Sequence, residues 1–318
     1  MVDEFALIRR FFDRPVKDHN VRLGIGDDAA LVEPEAGREL VCAIDTIVAG
    51  THYPEDLSPF DIGYRAVAIN LSDIAAMGAR PRWMTLALTM PDADTGWLSL
   101  FAEGLFTAAA EAGVSLIGGD TTRGPTAVVS INMIGDVEAH QAMQRSGARP
   151  GDSIFVTGTP GDAAAGLSLL QSGSDQTGES ECLIGRFVRP TPRCAFAQSI
   201  ARLATAAIDL SDGLYADLQK LIEASKAGAK LQLEALPLSA EMLAKFDYEE
   251  ALDFALGGGD DYELCFTAQQ SNEAEIHAVA NDLHLRVSQI GKVVSGDDIR
   301  CSKHGEAFEY DDAGFRHF

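Results

Sequence analysis

Short apolar runs that read as strands alternate with longer stretches of helical period along the whole chain, and this alternation restricts the fold more than any other feature. The runs Leu40-Val41-Cys42-Ala43-Ile44, Met84-Thr85-Leu86-Ala87-Leu88, Ser115-Leu116-Ile117 and Ala127 to Ile134 are strand-like. Between them, residues 60–78 and 95–112 repeat apolar side chains at three- and four-residue spacing, as does the short stretch 3–13. A polar turn, Arg145-Ser146-Gly147-Ala148-Arg149-Pro150-Gly151-Asp152, then leads into the strand Ser153-Ile154-Phe155-Val156-Thr157. Beyond it the alternation resumes: a helix after Gly161, helices near 193–204, 213–227 and 272–283, and strands at 206–209, 230–234, 262–267 and 286–291. Helices alternating with strands in both halves predict α/β (or α+β) architecture. The polar turn sets the expected domains at 1–148 and 149–318. Gln171 to Glu181, polar and rich in Gly and Ser, reads as a mobile loop.

Composition excludes several classes. Of 318 residues 46% are hydrophobic, ample for a core, yet no apolar run approaches the roughly 20 residues of a membrane helix. The five cysteines show no paired spacing, and acids stand at Asp3 and Glu4 where a secretory leader carries bases. A cytoplasmic protein is expected. Forty-eight acids against 25 bases give a net charge of −23, which repels nucleic acid and anionic membrane, so neither is expected as a partner.

The acids are not spread evenly. Six segments place Asp beside Gly, Ser or Thr after an apolar stretch. They are Gly26-Asp27-Asp28, Ile44-Asp45-Thr46, Asn70-Leu71-Ser72-Asp73, Gly118-Gly119-Asp120-Thr121-Thr122, Asp209-Leu210-Ser211-Asp212-Gly213 and Gly258-Gly259-Asp260-Asp261. One such Asp alone caps a helix or closes an Asx-turn. Asp73 is different: inside a helical pattern, it shares a face with Asn70 and has no cap to make. Carboxylates that converge at strand ends repel one another unless cations lie among them. Mg²⁺ meets that need, since it joins one or two carboxylates to a substrate phosphate. The neighbouring glycines let backbone N–H groups approach phosphate oxygens. No G-x-x-x-x-G-K-[ST] loop and no protein-kinase H-R-D or D-F-G occurs. Thr157-Gly158-Thr159-Pro160-Gly161-Asp162 lacks the glycine spacing of a dinucleotide fold and reads as structural, while Arg189-Pro190-Thr191-Pro192-Arg193 starts a helix and offers arginines to an anion.

In order, Asp3-Glu4-Phe5, Ile25-Gly26-Asp27-Asp28, Asp45-Thr46 with Gly50-Thr51-His52-Tyr53, and Asn70-Leu71-Ser72-Asp73 resemble the thiamine-monophosphate kinase family. So do Gly118 to Gly124, Gly147 to Asp152, Asp209 to Leu214, Gly258 to Glu263 and the terminal Gly314-Phe315-Arg316-His317-Phe318. The resemblance covers essentially the whole chain. It implies the aminoimidazole-ribonucleotide-synthetase superfamily fold, whose N-terminal sheet pairs with a second subunit's to form a barrel across a homodimer. It also implies transfer of the ATP γ-phosphoryl directly to thiamine monophosphate on several Mg²⁺ ions. Carried over by position, Asp28, Asp45, Asp73, Asp120, Asp209 and Asp212 are the implied metal ligands, with Asp45, Asp120 and Asp212 central to catalysis. Gly119, Asp120, Arg145 and Ser211 would contact ATP; His52, Asp260 and Phe315 would contact the thiamine phosphate. An aromatic ring and an acid suit a cationic thiazolium and its pyrimidine.

Three positions depart from the family pattern: Ala43-Ile44 where Ser or Thr often precedes the Asp, Asp260 for Glu, and Phe315 for Trp. Rival readings are another ATP-using synthetase of the superfamily and a protein that binds metal or nucleotide without turnover. A selenophosphate synthetase needs a reactive Cys near its start, whereas the earliest here is Cys42 in an apolar strand. The carbamoyl dehydratase of hydrogenase maturation ends in Cys, whereas this chain ends Arg316-His317-Phe318. A non-catalytic binder would take Mg²⁺ or ATP and turn over no acceptor.

Overall fold

The computed structural model describes residues 4–173 and 178–310. They form two compact units: one runs to Ile74 and includes Ala79–His140, the other takes Ala75–Gly78 and the chain from Gln141 onward. In the first, a short α1 (Glu4–Leu7) continues as a π-helical turn over Ile8–Phe12, then β1 (Val21–Leu23) pairs with β2 (Leu31–Val32). The main sheet follows from β3 (Arg38–Val48), α2 (Pro59–Ala76), β4 (Arg80–Met90), α3 (Thr95–Glu111), β5 (Ser115–Arg123) and β6 (Val128–Glu138). Its order is β3-β6-β4-β5, antiparallel except for the β4/β5 pair, whose connection carries α3.

Strand residues alternate between two environments, as period two requires. Val129, Ile131 and Met133 of β6 and Leu86, Leu88 and Met90 of β4 are buried. Helices α2 and α3 meet through glycine: a Cβ on Gly63 would fall 2.2 Å from the Phe101 carbonyl oxygen, and one on Gly104 would fall 1.9 Å from that of Phe60. The opposite face keeps apolar side chains in the open on β3, with Leu40 45% and Ile44 67% exposed.

At the sheet end where β3 and β4 begin, charges are packed together. Asp136, 1% exposed, accepts from Arg38 Nε (2.6 Å), Arg80 Nη2 (2.9 Å) and Arg82 Nη1 (2.8 Å). Arg82 also bonds Asp18 (2.9 Å), which accepts the Trp83 indole N–H at 2.9 Å. Burial opposes ionisation of both carboxyls, but it is outweighed, by the hydrogen bonds and charge of Arg80 and Arg38 at Asp136 and by the Asn20 N–H, Arg82 and Trp83 at Asp18, so both are held below the usual carboxylate range.

The second unit contains β7 (Ser153–Thr157), α4 (Asp162–Gln171), α5 (Glu179–Val188), α6 (Cys194–Ile200), β8 (Ala204–Asp209), α7 (Leu214–Ser225) and β9 (Gly228–Gln232). It continues with α8 (Ala240–Lys245), α9 (Tyr248–Gly257), β10 (Leu264–Ala268), α10 (Glu273–Asp282), β11 (Val287–Val294), β12 (Ile299–Lys303) and β13 (Glu306–Phe308). Seven strands form one sheet, β13-β12-β9-β11-β7-β10-β8. The central strands are buried on both faces. Ile154, Val156 and Ile208 pack with Leu214, Leu218 and Leu221 of α7, while Phe155, Ala207 and Phe266 face Phe196 and Ile276. Each fully buried Leu, Ile or Phe contributes about 1.5–3 kcal/mol. The loop expected over 171–181 is trimmed at both ends, since Gln171 still belongs to α4 and α5 starts at Glu179; residues 174–177 lie outside the described set. Among the described residues no helix is long and apolar enough to cross a membrane.

Replacing Asp136 by Ala leaves three guanidinium groups around an empty acceptor position. We expect a loss of about 3–5 kcal/mol, read as a lower urea midpoint. Because the folded pKa values of Asp18 and Asp136 are depressed, their contribution is complete above the unfolded carboxyl value of about 4 and disappears as pH falls through the folded values. Asp136→Asn should therefore flatten the acid limb of the stability-against-pH curve.

Candidate active site

In the first unit the expected ligands fall into three places. The Asp45 amide donates to Asn70 Oδ1 at 3.0 Å, and Asn70 Nδ2 donates to the Ala66 carbonyl at 2.9 Å, so a buried amide staples α2 to β3 beside Asp45. Asp73 lies one helical turn beyond Asn70 on the same face. Asp45 and Asp73, both half-buried, thus flank one fixed side chain. His52 is held nearby in sequence by the turn that ends β3, where its Nδ1 accepts the Val48 N–H at 3.1 Å. In the neutral ring the proton is then on Nε2.

Asp120 is elsewhere. Asp45, Ile131, Leu86 and Gly119 form one register row across the sheet, and Asp120 is the next residue of β5. Since β3 and β5 are the two outer strands, Asp45 and Asp120 are separated by three strand spacings, about 14 Å. The expectation that these acids sit in turns at strand ends is corrected: β3 runs on to Val48 and β5 to Arg123, so Asp45 and Asp120 are ladder residues. Their neighbours keep pairing, and the polar composition that reads as a turn marks an exposed edge. Gly119 still has a steric reason to be glycine, because a Cβ there would lie 2.0 Å from the Leu86 carbonyl oxygen. Asp28 is exposed, after Gly26 at φ +121°, and its amide donates to Asp27 Oδ1 at 2.8 Å.

The second unit gathers Asp209, Ser211, Asp212 and Asp260 at one end of β8. Asp209 closes the strand, buried, and Gly213 at φ +118° turns the chain into α7. The Ser211 and Asp212 amides both donate to Asp217 Oδ2, at 2.9 and 3.0 Å. Lys220 Nζ bridges Asp212 (2.5 Å) and Asp217 (2.8 Å). Burial opposes the Lys220 charge, but the hydrogen bonds to both acids outweigh it and raise its pKa; at Asp217 burial dominates and pushes the carboxyl up. Lys220 is the neighbour of this turn that sequence reasoning missed. Its signal was the i, i+3 spacing from Asp217 on a helix starting directly after Ser211-Asp212-Gly213.

Asp260 is tied to the same turn by its amide, which donates to the Ser211 carbonyl at 2.9 Å, while the Tyr262 amide donates to that of Leu210 at 2.8 Å. Asp260 (φ +70°) and Tyr262 (φ +51°) are both left-handed without being glycine, a conformation costing roughly 1 kcal/mol or more each. Between them, the Asp261 carboxylate accepts from the Gly161 and Ala163 amides at 2.6 and 3.1 Å, anchoring the loop to the start of α4. Burial pushes Asp261 well above the usual carboxylate range. Arg145 is not brought to this turn. Its carbonyl accepts from Ser225 Oγ at 2.9 Å at the far end of α7, eleven residues and roughly 16 Å of helix from Leu214. Phe315 lies outside the described residues.

Among the described residues no three His, Cys, Asp or Glu side chains converge into a ready-made metal cage. Aspartates in ones and twos, exposed or half-buried except for Asp209, nonetheless fit Mg²⁺, which takes one or two carboxylates and completes its shell with waters and substrate phosphates. They do not fit a closed structural site, which needs four protein ligands.

Comparison with known proteins finds two matched stretches of the chain. Residues 26–137 match the family model for the AIR synthase related protein N-terminal domain, and residues 149–303 match that for the C-terminal domain. The thiamine-monophosphate kinase of Salmonella typhimurium is 44% identical over 99% of this chain and 98% of its own length. The crystal structure of thiamine-monophosphate kinase from Stenotrophomonas maltophilia superposes with a TM-score of 0.89 at 43% identity, covering 96% of this chain and 98% of that one. AaThiL complexed with AMPPCP and TMP gives a TM-score of 0.79 at 31% identity, over 99% and 97% of the two chains. With identity at this level running through both units, the chain belongs to the thiamine-monophosphate kinase family.

Proposed function

We propose that the chain phosphorylates thiamine monophosphate with ATP, giving thiamine diphosphate and ADP. The observation that carries this reading is full-length similarity to thiamine-monophosphate kinases together with retention of every expected carboxylate. An oxygen of the acceptor phosphate attacks the γ-phosphorus while the bond to the ADP oxygen breaks. The acceptor is already ionised, so no strong base is required. What the protein must do is bring two anions into line.

Asp28, Asp45, Asp73, Asp120, Asp209 and Asp212 would hold Mg²⁺. Bound there, the ions would neutralise the phosphates and the charge that develops during transfer. The chain's own part is positioning. Asn70 fixes the backbone at Asp45, Lys220 and the Asp217 carboxylate hold the Ser211-Asp212 turn, and the Asp261 anchor sets Asp260 for the thiamine moiety. Gly119 lets the β5 backbone run close to β4 beside Asp120, and His52 presents an imidazole from the turn after β3. Arg145 and Phe315 stay in this reading as nucleotide and thiamine contacts. All five cysteines are free, in keeping with the cytoplasm.

The reading includes a homodimer. The first unit's sheet has two open edges, β3 and β5, and exposed Leu40 and Ile44 on one face. A barrel made with a second copy would set β3 against the partner's β5 and carry Asp45 toward Asp120 of the partner subunit, removing the 14 Å separation of about three strand spacings found within one chain.

Four outcomes are expected. Purified protein with thiamine monophosphate, ATP and Mg²⁺ makes thiamine diphosphate, and folded protein that yields none at saturating substrates refutes the assignment. Asp45→Asn and Asp212→Asn each lower turnover by about 100-fold or more with an unchanged circular-dichroism spectrum; near-normal rates in both would remove these residues from the site. Ile44→Asp shifts the light-scattering mass to that of a monomer. Co-refolded Asp45→Asn and Asp120→Asn chains recover activity that neither has alone, which a site built within one chain would not allow.

A further inference from the structure

The second unit holds a cavity that none of the residues assigned above enters. Its volume is about 540 Å³, within the range of small-molecule sites. The Gly158-Thr159 turn after β7, Arg186 of α5, the start of α8 at Ser239 and Glu241, and Arg286 ahead of β11 line it. Its floor is internally satisfied. Arg193 donates from Nε to Glu263 Oε2 at 2.6 Å and from Nη2 to Oε1, with its side chain only 13% exposed. The buried Asp162 carboxylate accepts from Ser239 Oγ at 2.5 Å and from the Thr159 hydroxyl.

The walls differ. Arg186 and Arg286 make no ion pair and no side-chain hydrogen bond among the described residues, although acids outnumber bases 48 to 25 in this chain. Glu241 faces the same cavity, also without an ion-pair partner among the described residues. Opposite charges therefore line one cavity without closing on each other. Two guanidinium groups from different elements present planar forks of donors, which suit an anion with several oxygens. Glu241 opposes a bare polyanion and accepts from a donor beside it.

We propose that this cavity is a second ligand site, which binds a small phosphate ester or diphosphate through Arg186 and Arg286 without a metal ion, with Glu241 accepting from the ligand's hydroxyl or amino group. It is separate from the aspartate site in residues and in chemistry. Aspartates hold phosphates only through divalent ions, whereas guanidinium groups hold them directly.

That difference gives the test. The full chain is titrated calorimetrically with inorganic pyrophosphate in EDTA, where the aspartate site repels the probe. One binding event per chain is expected, weakened about tenfold or more in Arg186→Ala and in Arg286→Ala. Glu241→Gln should tighten it about threefold, a gain that damage to the fold would not produce. Kinase turnover at saturating Mg²⁺-ATP should be unchanged in all three variants. No heat in EDTA, or equal binding by an Arg186→Ala/Arg286→Ala double variant, overturns the proposal. A wild-type chain without turnover would count against the kinase reading alone, since the pyrophosphate titration judges the cavity independently.

Discussion

Mutual repulsion of carboxylates is the constraint around which this molecule is arranged. A chain with a net charge of −23 can bring acids together only where something offsets them. Three solutions occur side by side. Asp136 is enclosed by three guanidinium groups, Asp212 and Asp217 share Lys220, and Asp45 and Asp120 are kept on opposite edge strands of one sheet. The first is a permanent structural clamp. In the proposed reading, the others leave carboxylate oxygens for a cation that would arrive with a phosphate substrate.

The two units address the positioning problem differently. In the first, a long regular sheet fixes its acids by ladder register, and one buried amide, Asn70, ties the covering helix to that ladder at Asp45. The second concentrates its polar residues where β8 ends. There the backbone bonds of the Asp260 loop reach back to Leu210 and Ser211, and a buried carboxylate anchors the loop to another helix. Two left-handed non-glycine residues persist in that loop because these bonds over-determine it. Strain held at a loop that presents an acid is consistent with a binding role.

Much of the fold was legible because the hydrophobic period was clean. The helices expected at 60–78, 95–112, 213–227 and 272–283 appear as α2, α3, α7 and α10 within one or two residues. Short helices such as α8 and the pair β12/β13 were not legible, since they are too brief to show a period. Strand ends were also misjudged at Asp45 and Asp120. Gly, Thr and Asp favour turns locally, but continued pairing with β6 and β4 keeps both residues extended. For Arg145 the structure adds a backbone position that spacing does not give: its carbonyl is fixed at the far end of α7 from Ser211.

The sequence by itself determined which side chains are available: the carboxylates, their flanking glycines, the absence of a phosphate-binding lysine loop, and the alternation that makes two layered units. Those are properties of residue type and short-range period, which the linear chain states directly. Only the tertiary structure decided which acids are neighbours, that Lys220 stands among them, and that Arg186 and Arg286 face a cavity without an ion-pair partner among the described residues. Such facts depend on pairing between residues far apart along the chain, where strand order and register set distances that spacing in the sequence does not encode.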